Sequence, residues 1–139
     1  MNRGKIVITT ADLQRLREAI REMERWCSEA DRHSLARLKQ ELEQAIVVEP
    51  ADVPPDVVTV NTRVRFRDLD NNEEMDYTLV LPDKANLDKK RLSVMAPLGM
   101  ALLGYRTGEV IEWPVPAGTR HLRIEQVLYQ PEAAGTVDP

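Results

Sequence analysis

Apolar positions repeat with two different periods along this chain, and the change falls near residue 50. After a short apolar lead at Ile6-Val7-Ile8, Leu13, Leu16, Ile20, Met23 and Cys27 step by 3, 4, 3 and 4. Leu35, Leu38, Leu42 and Ala45 then step by 3, 4 and 3. Each set lines one helix face, and pairs such as Glu18–Arg21, Glu22–Arg25, Arg37–Glu41 and Lys39–Glu43 fall on the others. Thr9 or Thr10 supplies the first N-cap, with Asp12 three residues after Thr9. Between the seams lies WCSEADRHS, where Ser28 (with Asp31 three residues on) and Ser34 compete as the second N-cap. The chain must reverse there. The pattern predicts an antiparallel helical hairpin, a short coiled coil, over residues 1–49, with arms about 25 Å long.

Residues 50–56 form a proline-rich linker, and from 57 to 139 the period is two. Val58, Val60, Thr62, Val64 and Phe66 alternate with Thr59, Asn61, Arg63, Arg65 and Arg67, which predicts a strand with one buried and one basic face. Asp70-Asn71-Asn72 signals a turn, Tyr77–Leu81 a second strand, PDKANLDKK a polar loop and Leu92-Ser93-Val94 a short strand. Pro97 suits the first position of a helix running to Leu103, with Gly104 as its stop. Thr107-Gly108 turns into a strand at Val110–Val115, Pro116–Thr119 is a hairpin turn, and His121–Tyr129 closes the sheet. PEAAGTVDP is expected to be a loose tail. The fold class is α+β: a helical hairpin, then a small antiparallel sheet domain with one short helix.

Composition narrows the function. The net charge of -4 is uneven: residues 1–50 carry nine basic and nine acidic side chains, residues 51–139 ten and fourteen. Neither part is the basic surface that phosphate neutralisation requires, so tight nucleic-acid binding by the chain alone is not expected. No apolar run approaches the roughly 20 residues of a membrane span, and the N-terminus lacks a signal-peptide core. A single cysteine, Cys27, excludes an internal disulfide. The expectation is a cytoplasmic protein without a membrane partner.

Three motifs were candidates for chemistry. In SVMAPLGMALLGYRTGEVIEWPVP, Gly99 and Gly104 have P-loop spacing, but Tyr105 and Arg106 stand where lysine and a hydroxyl are needed. These glycines, with Gly108, are expected to serve as cap, turn and close-packing positions. His33 and His121 lie in different units, and neither has neighbours at metal-ligand spacing, so no metal or cofactor is expected. Glu29 and Asp31 fall at the hairpin tip. Two exposed carboxylates there either stay solvated or complete a magnesium site that a partner half-coordinates.

PPDVVTVNTRVRFRDL, LSVMAPLGMALLG and YQPEAAG, together with the hairpin, resemble the GreA/GreB transcription elongation factor family. The likeness covers nearly the whole chain and is nearest to the short-hairpin, Rnk-like branch. It implies an FKBP-like fold for residues 57–139 and RNA polymerase as partner. The sheet domain would dock at the rim of the polymerase secondary channel, through a loop matching Met95, Pro97, Leu98 and Met100. In cleavage-competent members the tip carries an Asp-x-x-Glu pair that helps bind a second magnesium. Here the tip is SEADRHS, and Met95 stands where an acidic residue is common. The resemblance therefore implies a non-enzymatic regulator that binds polymerase and competes with Gre factors without efficient transcript cleavage. The alternatives are a cleavage factor using Glu29 and Asp31, or a prolyl isomerase using Phe66, Tyr77, Tyr105, Trp113 and Tyr129. Met95, Leu98 and Met100 either face the partner or fill the core.

Overall fold

A computed structural model describes residues 5–115 and 118–135. Helices α1 (Thr10–Glu24) and α2 (Glu29–Glu43) form the hairpin. At 15 residues each they are about 22 Å long. The Thr9 hydroxyl accepts the Asp12 amide at 3.2 Å, which fixes the start of α1. Ser28, rather than Ser34, caps α2 by accepting the Asp31 amide at 3.3 Å. Leu13, Leu16 and Ile20 of α1 and Leu35, Leu38 and Leu42 of α2 are buried, so the two seams are the helices' inner faces. Lys39 reaches across the hairpin to Glu24 at 3.9 Å.

The apolar lead is a strand. β1 (Val7–Thr9) pairs in parallel with β2 (Ile46–Val48), closing the base of the hairpin. A parallel pair needs a long crossover, and the hairpin supplies it.

The strand expected from Val58 begins only at Arg63. The Thr62 amide donates to the Thr59 carbonyl at 3.1 Å. The Thr59 amide donates to the Thr62 hydroxyl at 3.0 Å, and Asn61 takes a φ of 70°. Together these make a tight turn that interrupts the period-two run. Asn is among the residues that tolerate this left-handed conformation. Five strands follow: β3 (Arg63–Asp68), β4 (Glu73–Val80), β5 (Arg91–Ser93), β6 (Val110–Val115) and β7 (Gly118–Tyr129), in the order β5-β4-β3-β7-β6. β4 and β5 run parallel and the other pairs antiparallel, so the sheet is mixed instead of wholly antiparallel. Two 3₁₀ turns, Pro82–Lys84 and Leu87–Lys89, make that crossover inside the expected polar loop. Val115 pairs with Gly118; Pro116 and Ala117 of the expected hairpin turn lie outside the described residues.

The basic face of β3 is neutralised where it stands. Arg65 and Arg67 lie opposite Asp76 and Glu74 in the β3–β4 register. Arg67 contacts Glu74 at 2.7 Å and Glu125 at 2.9 Å, and Arg63 contacts Asp76 at 3.5 Å. Exposed pairs of this kind stabilise little, but they leave no cationic stripe for phosphates.

The C-terminal segment is anchored through residue 135, which corrects the expected loose tail; residues 136–139 lie outside the described ones. The Gln130 side-chain amide donates to the carbonyls of Pro54 and Val57, each at 2.8 Å. A final helical turn, α4 (Pro131–Ala134), buries Glu132. Glu132 faces Asp12, buried in the first turn of α1. Burial, and then the charge of Glu132, push the Asp12 carboxyl up to about 6, against the opposing pull of Arg15, which lies at 3.4 Å. The buried residues of hairpin and sheet form one continuous cluster, from Ile6 and Leu16 through Val64, Phe66 and Ile124.

Candidate partner-binding cleft

Pro97 opens the short helix α3 (Pro97–Leu102), and Gly104, at φ 85°, ends it as expected. The loop before α3 is folded on itself. The Ser93 hydroxyl accepts the Met95 amide at 3.0 Å, and the Ser93 carbonyl accepts the Ala96 amide at 3.0 Å. Gly99 packs onto the same carbonyl: a Cβ at that position would lie 2.0 Å from the Ser93 oxygen. That contact explains the glycine through packing and leaves no need for a phosphate.

Four residues of this segment were candidates for facing a partner. Met95 is 3% exposed and Met100 6%, and both belong to the core with Val94, Leu102 and Leu103. Of the two alternatives for these residues, partner contact or core, their burial in the chain fits the core, while Met95 also borders the cleft described below. Pro97 is exposed and Leu98 half-buried.

At the other end of the hairpin, Glu29 and Asp31 occupy the first turn of α2. The helix dipole favours carboxylates there. Glu29 is exposed and Asp31 partly covered. Among the described residues no three His, Cys, Asp or Glu side chains gather to hold a metal ion. Beside them Trp26 is 80% exposed, its indole N–H 3.4 Å from the Glu22 carboxylate.

A cleft of about 680 Å³ lies between the hairpin and the sheet domain. One wall is the outer flank of α1 and its continuation, with Ala19, Met23 and Trp26 among Arg15, Glu18 and Glu22. The other wall is Leu81–Asp83, Ser93 and Met95–Pro97. Asp31 joins the lining from the tip. The structure therefore brings Asp31, Met95 and Pro97 to one cleft, while Glu29, Leu98 and Met100 are not on its lining. The stripe Ala19–Met23–Trp26 crosses the seam at Met23, and its other two members fall outside the seam steps. Its own 4 and 3 spacing was a usable signal.

The aromatic residues of an isomerase pocket do not gather here. Phe66 and Tyr105 are in the core, and Tyr77 stacks on Phe66 at 6.1 Å. The side chain of Trp113 lies outside those described. No helix among the described residues is long and apolar enough to cross a membrane.

Residues 53–129 match the family described as Transcription elongation factor, GreA/GreB, C-term, and residues 5–48 match the Rnk N-terminus. The chain belongs to the GreA/GreB family, with an N-terminal unit of the Rnk type. It is 48% identical over 99 residues to the regulator of nucleoside diphosphate kinase of Escherichia coli strain K12, covering 70% of this chain and 73% of that protein. Transcription elongation factor GreA of Chlorobium phaeobacteroides is 37% identical over 95 residues, 68% of this chain and 60% of that one. A solved GreA/GreB elongation factor from Nitrosomonas europaea superposes with a TM-score of 0.74 at 38% identity, covering 91% of this chain and 99% of that chain. These relationships support a transcription elongation factor-like role.

Proposed function

We propose that this protein binds RNA polymerase at the rim of the secondary channel, competes there with Gre-type factors and does not drive efficient transcript cleavage. The sheet domain, an FKBP-like scaffold in this reading, supplies the docking loop through Pro97 and Leu98. The observation that carries the reading is that the tip carboxylate Asp31 and the docking loop border the same cleft. A cleavage factor must place its tip carboxylates on a catalytic magnesium, at about 2.0–2.1 Å, while its docking domain stays on the rim. Arms of about 22 Å, folded back beside the docking loop, favour occupancy of the rim over reach to a distant metal. Misplacement by even about 1 Å costs on the order of a hundredfold in rate. The tip sequence SEADRHS supports the same reading, because Glu29 and Asp31 stand two residues apart. A pull-down against core RNA polymerase tests the binding claim. Complex formation at micromolar protein is the expected result, and its absence would sink the proposal.

A further inference from the structure

α1 carries two stripes. The first is the buried seam. The second starts at Arg15, runs through Ala19 and Met23, which it shares with the seam, and ends at Trp26 just past the helix, all lining the cleft. It covers eleven residue steps, about 16 Å or three helical turns. The cleft floor between this stripe and Met95-Ala96-Pro97 is apolar, and its volume of about 680 Å³ lies within the usual range of ligand-binding clefts.

The charge around that floor is one-sided. Glu18, Glu22, Asp31 and Asp83 line the cleft against one cation, Arg15. Arg15 is already held by Asp12 at 3.4 Å. Glu22 meets only exposed groups, the Arg25 guanidinium at 3.9 Å and the Trp26 indole N–H at 3.4 Å. Among the described residues Glu18, Asp31 and Asp83 have no cationic partner within 4 Å. An apolar trough about three turns long, rimmed by uncompensated carboxylates, suits a helix of opposite design.

We propose that the cleft is a docking groove for an amphipathic protein helix whose apolar ridge is flanked by Lys or Arg, with Trp26 as its anchor at the tip. Tryptophan is among the residue types that most often dominate protein contacts once a partner covers them. The ridge of the incoming helix lies along Ala19 and Met23, and its basic flanks meet Glu18 and Glu22 on one side and Asp83 on the other. This rests on the proposed function for the place of docking and adds the chemistry of the occupant; its test contains no polymerase, so the two readings fail separately.

The test uses the full chain and a fluorescein-labelled 18-residue Leu/Lys peptide with leucines at helical spacing. A Leu/Glu counterpart and a shuffled Leu/Lys peptide serve as comparisons. Anisotropy at about 0.15 M salt, where exposed charges are screened beyond roughly 8 Å, is expected to show saturable binding of the amphipathic Leu/Lys peptide. The other two should bind at least tenfold more weakly. Ala19→Arg, which fills the floor, and Trp26→Ala, at an exposed position, are each expected to weaken binding tenfold or more with an unchanged melting temperature. In a proton–nitrogen NMR spectrum the Trp26 indole signal should move on titration. Equal binding of the shuffled peptide, tighter binding of the Leu/Glu peptide, or an unmoved indole signal would overturn the proposal. So would Trp26→Ala binding as the parent does, which keeps the test decisive if Ala19→Arg fails to fold.

Discussion

The two ends of the helical hairpin carry the same chemistry in opposite settings. At the base, Asp12 is buried against Glu132, which lies at the far end of the chain. Around them β1 pairs with β2, and Gln130 ties the C-terminal turn to Pro54 and Val57. At the tip, Glu29 and Asp31 sit in the first turn of α2 beside an exposed tryptophan. Carboxylates at the base are enclosed by the fold and tie its stability to pH. Those at the tip stand at the surface, Glu29 exposed and Asp31 partly covered. Substitutions at the base should therefore alter stability and its pH dependence, and those at the tip should alter binding and little else.

The largest effect is expected from the seam that both ends share. Leu16→Ala removes a fully buried side chain and should cost about 2–5 kcal/mol in urea unfolding. Gly99→Ala comes next. Its methyl would meet a backbone carbonyl rather than a flexible side chain, so a loss of about 2 kcal/mol is expected, with the Ser93–Pro97 loop displaced. A variant of parental stability would show that the loop can shift at no cost.

Asp12→Asn should act in the opposite direction. The folded carboxyl is raised to about 6 from an ordinary 3.8. Its contribution to stability is therefore fully present below about pH 4 and is lost as pH rises toward 6. The parent minus variant difference isolates this group from others, such as Asp70 and Glu125, whose carboxyls are held low by their hydrogen bonds and oppose the trend. Above pH 6 the variant should be more stable by on the order of 1 kcal/mol, after discounting for the solvent that reaches the pair. Melting curves from pH 4 to 7 check this, and a constant difference across that range would contradict it. The smallest effect belongs to the tip: Glu29→Gln with Asp31→Asn should change stability by less than about 1 kcal/mol, through lost helix-dipole contacts alone.

The hairpin was legible because its heptad steps and caps are local, and the short helix at Pro97 because proline and glycine mark its ends. What escaped depended on distant partners. Nothing near Ile6-Val7-Ile8 announces that Val47 will pair with Ile8. Nothing near Glu132 announces Asp12 across the whole chain. Met95 and Met100 were ambiguous for a similar reason: a flexible apolar side chain suits a core and a partner surface alike, and only packing decides. The strand expected from Val58 failed because the Thr62 hydroxyl accepts the Thr59 amide and meets the Thr59 hydroxyl, an option that hydroxyl residues hold over any periodicity.

The most direct test of the central claim places the protein on backtracked elongation complexes of core RNA polymerase with radiolabelled RNA, alone and against a cleavage-competent Gre factor. The account expects no shortened RNA from this protein alone, and dose-dependent suppression of the Gre factor's cleavage, weakened with Glu29→Gln and Asp31→Asn in place. Shortened RNA from the protein alone, abolished by that pair of substitutions, would contradict it.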